Sequence, residues 1–189
     1  VARPMTFDAE ETIDRAVEVF WQRGFGATTP QNLVDELGIG KGSLYNTFRS
    51  KHHLFQLAMR RYSARRAAEL AEALDGPGPE RPKLRTAMRN LAGVGEHQLG
   101  CLIVNSVAEL GSSDEAVADV SKEMFNLVQD AFRASIKRGQ ASGELIPGRD
   151  PGDAASALLA VVIGTNVLAK AGRPPSQLTR LLDAALIDI

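Results

Sequence analysis

Residues 28–51, TTPQNLVDELGIGKGSLYNTFRSK, decide the fold of this chain. Thr29 is a helix N-cap type, and Pro30 suits the first helical position, where its missing N–H costs nothing. Leu33, Val34 and Leu37 form one apolar face, and Gly38 is the expected stop. Ile39 plugs the turn that follows. A second helix, Lys41 to about Phe48, turns Leu44 and Phe48 inward at i, i+4 spacing. That leaves Lys41, Ser43, Asn46 and Thr47 outward, short or basic groups able to bond phosphates and base edges. A helix, a three-residue turn and a second short helix are the layout of a helix-turn-helix, whose second helix enters the DNA major groove.

The charge pattern points the same way. From Leu37 to Ala68 there are seven basic residues (Lys41, Arg49, Lys51, Arg60, Arg61, Arg65, Arg66) and no Asp or Glu. Residues 1–66 carry a net +3 and residues 67–189 a net −4, an asymmetry hidden in the −1 of the whole chain. Positive charge gathered at one end is the expected footprint of a phosphate-binding surface. A basic run alone is equally a solvated helix face; its coincidence with the helix-turn-helix favours the nucleic acid.

At 189 residues, 44% hydrophobic and 24% charged, the chain can bury a core and hold one or two domains. No signal peptide is read, because the first apolar stretch lies inside an acidic amphipathic helix, and a cytoplasmic, bacterial type of protein is expected. The single cysteine excludes an internal disulfide and offers no zinc cluster. His52, His53 and His97 lack a metal-ligand spacing. No nucleophile motif or phosphate-binding glycine loop is present, and the Asp114-Glu115 pair reads as a helix cap. No enzyme, metal or cofactor is therefore expected.

The rest reads as helix, with no period-two run that argues a sheet. Helix 1 carries Ile13, Ala16, Val17 and Phe20 on one face, with Asp8 and Glu11 spaced like a cap pair, and ends at Gly24. Helix 4 starts at Ser50 and runs to about Leu74, where GPGP stops it. Helices follow near Lys83–Gly93, near Leu102–Leu110 and from Ser113 to about Gln140. Asp150-Pro151 opens another, to about Ala171, and a last one follows Pro175. The charge-free stretch 154–169 is apolar nearly all round, so it must be buried on more than one side; it is shorter than a membrane span needs. One chain of this size has few elements to cover it, so pairing with a second copy is expected.

FDAEETIDRAVEVFWQRGFGATT (7–29) and LVDELGIGKGSLYNTFRSKHHLF (33–55) resemble the DNA-binding domain of the tetracycline-repressor (TetR/AcrR) family of transcriptional regulators. GCLIVNSVAEL (100–110), GQASGELIPGRDP (139–151) and LLAVVIGTNVLAKAG (158–172) resemble the ligand-binding half of one branch. The resemblance covers nearly the whole chain. It implies an all-α fold of about nine helices: a helix-turn-helix domain over 1–50, and a ligand-binding and dimerisation domain over 51–189, with helix 4 connecting them. It implies a homodimer formed through the last two helices as a four-helix bundle, for which Leu158, Leu159, Val162, Leu178 and Leu182 are candidate contacts.

The DNA contacts carry over residue by residue. Thr29 matches the capping and phosphate-touching position, and Tyr45 a tyrosine whose hydroxyl bonds the DNA backbone. Lys51, in the first turn of helix 4, suits a phosphate beside free backbone N–H groups. Gln31 and Lys41 can reach base edges, Gln toward adenine and Lys toward guanine. Ser43 and Asn46 are the other outward readers, and Gly42 allows close backbone approach. Thr47 stands where a histidine is common, which weakens or remodels one phosphate contact.

For the C-terminal half the resemblance implies a cavity whose small-molecule occupant, apolar or amphipathic, changes the separation of the two readers and releases a palindromic operator. Candidate lining residues are Met88, Leu91, Asn105, Phe125, Val128, Phe132 and Asn166. The two amides need partners; Glu109, a backbone group or a ligand could supply them. Cys101 follows Gly100 at a helix start, where the dipole favours thiolate, so it is a candidate sensor of oxidants or electrophiles and equally a small buried residue. A non-specific architectural DNA binder is the remaining alternative. The long uncharged C-terminal half and the outward Gln31, Ser43 and Asn46 argue against it.

Overall fold

The computed structural model describes residues 7–95, 99–187 and 189; His97 lies outside them. Within the described residues the elements are nine helices, in the order α1 (Ala9–Ala27), α2 (Pro30–Leu37), α3 (Lys41–Phe48), α4 (Lys51–Leu74), α5 (Glu80–Leu91), α6 (Leu102–Leu110), α7 (Glu115–Ala141), α8 (Pro151–Lys170) and α9 (Pro175–Ala185).

Local chemistry sets most of the boundaries. Asp8 caps α1 by accepting from the amides of Glu10 and Glu11. Ser50 caps α4 through the His53 amide at 3.0 Å, and Asp114 caps α7 through the Val117 amide at 3.2 Å. Asp150 takes the amides of Gly152 and Asp153 at the start of α8.

Gly24 leaves the helical region (φ 77°, ψ 173°) and breaks α1 where expected, with a single separate turn following to Ala27. One boundary differs from expectation. Helix α5 starts three residues before Lys83, because proline is tolerated in a first turn and because Glu144, far along the chain, accepts from the amides of Glu80 (2.6 Å) and Arg81 (2.9 Å).

Helices α1, α2 and α3 close over Phe20, Leu33, Leu37, Leu44 and Phe48, all buried. Helix α4 joins this cluster through Leu54 and Phe55, whose ring meets Phe20 edge-on at 4.9 Å. The same helix then contacts α5, α6 and α7, so one continuous apolar core runs through both halves. Helix α7 packs on α8, and α8 on α9.

At 20 residues α8 is, among the described residues, the one helix long and apolar enough to cross a membrane by length and composition; the 154–169 stretch understated it. One face of it packs into the core. Ala154, Ala155, Leu158, Val162, Thr165, Asn166 and Ala169 are buried. The polar pair among them is bonded within the protein, Thr165 to the Val161 carbonyl and Asn166 to those of Val162 and Leu91.

Leu158, Val162, Leu178 and Leu182 are only 1, 4, 4 and 0% exposed in the single chain. The expected dimer contacts thus face the protomer's own core, because apolar residues on both faces of α8 left the sequence without a phase. Leu159 is half-buried. The face left open carries Ala160, Gly164 and Val167 on α8 and Leu181 on α9.

Candidate nucleic-acid interface and its coupling to the C-terminal half

The helix-turn-helix is fastened by its own backbone chemistry. The Thr29 hydroxyl accepts from the Asn32 amide at 3.1 Å, and the Thr29 amide donates to Asn32 Oδ1 at 3.0 Å, a reciprocal cap at the start of α2. Gly38 leaves α2 in the left-handed region (φ 68°), where only glycine is unstrained, and its amide donates to the Val34 carbonyl at 3.0 Å. Ile39 is buried in the turn. Leu44 and Phe48 then seat α3 on the core, and Lys41, Gly42, Asn46 and Thr47 are exposed, with Ser43 and Tyr45 half-buried. A Cβ on Gly42 would meet nothing within 4 Å, so the protomer's packing does not require glycine there.

Arg49 between α3 and α4 has φ 63° and ψ −49°, while the Ser50 amide donates to the Phe48 carbonyl at 2.6 Å. A non-glycine residue held in this tight turn is strained by about 1–3 kcal/mol. Nothing in the local sequence signalled it.

Two expected DNA contacts are otherwise engaged here. Gln31 donates to Asp35 Oδ1 at 2.7 Å along its own helix. Lys51 does not stand over free amides: its Nζ donates to the Phe25 and Thr28 carbonyls, each at 2.9 Å, and lies 4.0 Å from the centre of the Phe25 ring. Carbonyls at the end of α1 and an aromatic face make a cation site, and Lys51 fills it.

The basic run of the sequence divides. Arg60 pairs with Glu123 at 3.7 Å, Arg61 with Glu10 at 2.5 Å and Asp14 at 2.9 Å, Arg65 with Glu18 at 4.0 Å, and Arg66 with Glu69 at 2.7 Å. These four ride α4 and face acidic residues of α1, α4 and α7. Lys41 and Arg49, flanking α3, have no ion-pair partner among the described residues. The cationic surface offered to a phosphate is therefore smaller than the run of seven suggests.

In the C-terminal half Met88, Leu91, Val128, Phe132 and Asn166 are buried, and Asn105 and Phe125 half-buried. Asn105 donates to the Leu99 carbonyl at 2.9 Å. Asn166 Nδ2 donates to the carbonyls of Leu91 (3.2 Å) and Val162 (3.0 Å), while its Oδ1 has no partner among the described residues. A cleft of about 560 Å³ between α4 and α5 and a groove of about 220 Å³ between α4 and α7 are lined by none of these seven residues.

Cys101 is the half-buried N-cap residue of α6. Its thiol meets the Tyr62 hydroxyl; burial, and then Cys101, push the Tyr62 phenol far above the usual tyrosine range. Trp21 Nε1 donates to the Gly100 carbonyl at 3.0 Å.

The other end of α6 holds a contact the sequence did not assign. Glu109 takes no part with Asn105 and instead accepts from the amides of Phe25 (3.1 Å) and Gly26 (2.7 Å). Just beyond it, His52 Nε2 lies 2.5 Å from Asp114 Oδ2. Burial pushes the Asp114 carboxyl up, but the His52 ring and the Val117 and Ala116 amides outweigh it, and the group sits below its ordinary range. Among the described residues no group of three or more His, Cys, Asp or Glu is placed to hold a metal ion.

Comparison with known proteins agrees with this layout. Residues 13–58 match the family of bacterial regulatory proteins called the tetR family, and residues 81–185 match the tetracycline repressor-like C-terminal domain. An uncharacterised HTH-type transcriptional regulator of Bacillus subtilis, YezE, is 31% identical over 77% of this chain and 76% of its own length. The HTH-type transcriptional repressor ComR of Escherichia coli is 25% identical over 97% and 90%. Among solved structures, a cysteine mutant of the TetR family regulator CifR complexed with a 26-bp double-strand operator DNA is 29% identical, with a TM-score of 0.85 over 97% of this chain and 98% of that one. The reduced form of Escherichia coli NemR is 25% identical, with a TM-score of 0.82 over 93% of both. With a helix-turn-helix of the right geometry and family matches over both halves, the chain belongs to the tetR family of DNA-binding transcriptional regulators, a family of regulators and not of enzymes.

Proposed function

We propose that this protein is a cytoplasmic repressor that binds a palindromic operator as a homodimer and leaves it when a small molecule occupies the C-terminal half. The observation that carries this reading is α3, seated by Leu44 and Phe48 with Lys41, Gly42, Asn46 and Thr47 open to solvent. Thr29, Gln31, Ser43 and Tyr45 complete the contact set; Gln31 reaches a base by exchanging its bond to Asp35. Lys51 acts through the α1–α2 loop that carries Thr29. Relatives named as repressors and a neighbour named as bound to operator DNA support the same assignment. The test is selection from a random duplex library followed by footprinting. A palindrome with half-sites about 34–36 Å apart is expected, and indifference to sequence would leave only an architectural role.

The dimer face in this reading is the open stripe of Ala160, Gly164 and Val167 with Leu181. Val167 is 55% exposed and Leu181 39%, so Val167→Asp should yield a folded monomer by sedimentation. Leu158→Asp should unfold the chain instead, because it buries an unpaired charge. An amphipathic effector that donates a hydrogen bond to Asn166 Oδ1 must open a space among Met88, Val128 and Phe132, since neither cavity described above reaches them.

A second reading has its own observation. Cys101 is partly accessible at the start of α6 and neighbours the buried Tyr62, so oxidation or alkylation would push on both. An oxidant or electrophile should then release operator from the wild type and not from Cys101→Ser.

A further inference from the structure

We infer that Glu109 is a positioning residue for DNA recognition: its carboxylate holds the two amides that follow the bend in α1 and so fixes the entry to the helix-turn-helix. The inference rests on the operator-binding reading.

The site is built on both sides. Glu109 Oε2 accepts from the Phe25 amide at 3.1 Å and Oε1 from the Gly26 amide at 2.7 Å. The two glycines leave room for the carboxylate, which is the exposed end of a flexible side chain. A Cβ on Gly24, already at φ +77°, would lie 2.9 Å from Oε2, and one on Gly26 would lie 2.9 Å from Oε1. Each glycine of Gly24-Phe25-Gly26 therefore clears a different oxygen. Lys51 grips the same peptide from its other side, through the Phe25 and Thr28 carbonyls. The next residue, Thr29, is the N-cap of α2.

Helix α6 gains nothing from this carboxylate for itself. Glu109 is the penultimate residue of α6, where a negative charge opposes the helix dipole, and no basic residue stands in that last turn. The amides of the α1–α2 loop account for its placement. At its other end α6 is held by Trp21 through the Gly100 carbonyl. A shift of α6 along α1 therefore acts on the Phe25–Gly26 peptide directly, beside the hold that Lys51 of α4 keeps on its carbonyl.

The experiment uses the full chain and a palindromic duplex selected by the wild type from a random library. Glu109→Ala should bind that duplex about tenfold more weakly while its affinity for random duplex and its thermal midpoint stay at wild-type values. The Phe25 and Gly26 amides should lose protection from hydrogen exchange. Glu109→Gln, which keeps one acceptor, should fall between. Gly26→Ala should reproduce the loss by displacing Oε1, and the double variant should be no worse than either single one. Wild-type affinity in Glu109→Ala, equal losses on selected and random duplex, or losses that multiply in the double variant would overturn the inference alone. A wild-type protein that selects no duplex would overturn the operator reading and this inference with it.

Discussion

Two stretches of one basic run behave oppositely. Lys41 and Arg49 flank α3, and neither has an ion-pair partner among the described residues; Arg60, Arg61, Arg65 and Arg66 ride α4 and each meets a carboxylate. In the sequence they are indistinguishable, since the acidic partners lie either before the run, in α1, or after it, at Glu69 and Glu123. A positive charge contributes to phosphate binding only when no carboxylate of its own chain has already compensated it. The uncompensated part of the run is a small cationic surface at α3, and most of the run is matched by carboxylates of its own chain.

The largest expected effect comes from a compensated charge outside the run. Glu80 is buried and bonded to Arg138 (2.9 Å), Ser135 (2.7 Å) and Lys83 (3.2 Å). Its bond to Arg138, against the cost of burial, lowers its carboxyl to about 2 from 4.5. That shift corresponds to roughly 3 kcal/mol. The folded-state pKa is depressed, so this stability is complete above about pH 4.5 and is lost as pH falls toward 2. Glu80→Ala should cost about 3 kcal/mol, lower Tm by roughly 6–12 °C and flatten the acid limb of the stability profile, with operator affinity of the folded protein unchanged.

Next in size is Asn46→Ala, which should relax preference at one position of each half-site by about 1–3 kcal/mol if the contact is bidentate, as read from binding to duplexes varied one position at a time. Equal loss on random duplex would contradict a reading role. The direct comparison of the two stretches is smaller. Arg49→Ala should reduce the slope of log affinity against log salt by about one unit, whereas Arg61→Ala should leave it in place. A slope that falls in both would return all seven charges to the DNA surface. Smallest is Arg49→Gly, which should raise stability by about 1 kcal/mol in denaturant unfolding, because glycine relieves the positive φ, while giving the same salt slope as Arg49→Ala.

What the sequence made legible was local. The caps at Asp8, Thr29, Ser50, Asp114 and Asp150 and the stop at Gly38 each act within four residues, so helix positions and the helix-turn-helix followed from spacing alone. What stayed hidden was set at long range. Lys51 looked like a phosphate anchor because Phe25 and Thr28, whose carbonyls hold it, are more than twenty residues earlier. The phase of α8 was hidden because apolar residues occupy both faces, and only packing against α7 and α9 shows that Leu158 and Val162 turn inward. The break at Gly24 is legible as a helix end, but the Glu109 carboxylate that meets the turn after it, more than eighty residues later, is not.

Helix α5 carries the same long-range dependence into the order in which the chain can fold. Its first two amides wait for Glu144, and Arg85 on its surface waits for Asp183. During synthesis those partners leave the ribosome after α5. The three-helix reader closes its own core with the first part of α4 before Glu109 joins the α1–α2 loop, and low contact order favours early folding. We expect α2 amides to gain protection before those of Glu80 and Arg81 in pulse-labelled refolding. A nascent chain would then carry a formed DNA reader before it had a completed C-terminal half to govern it.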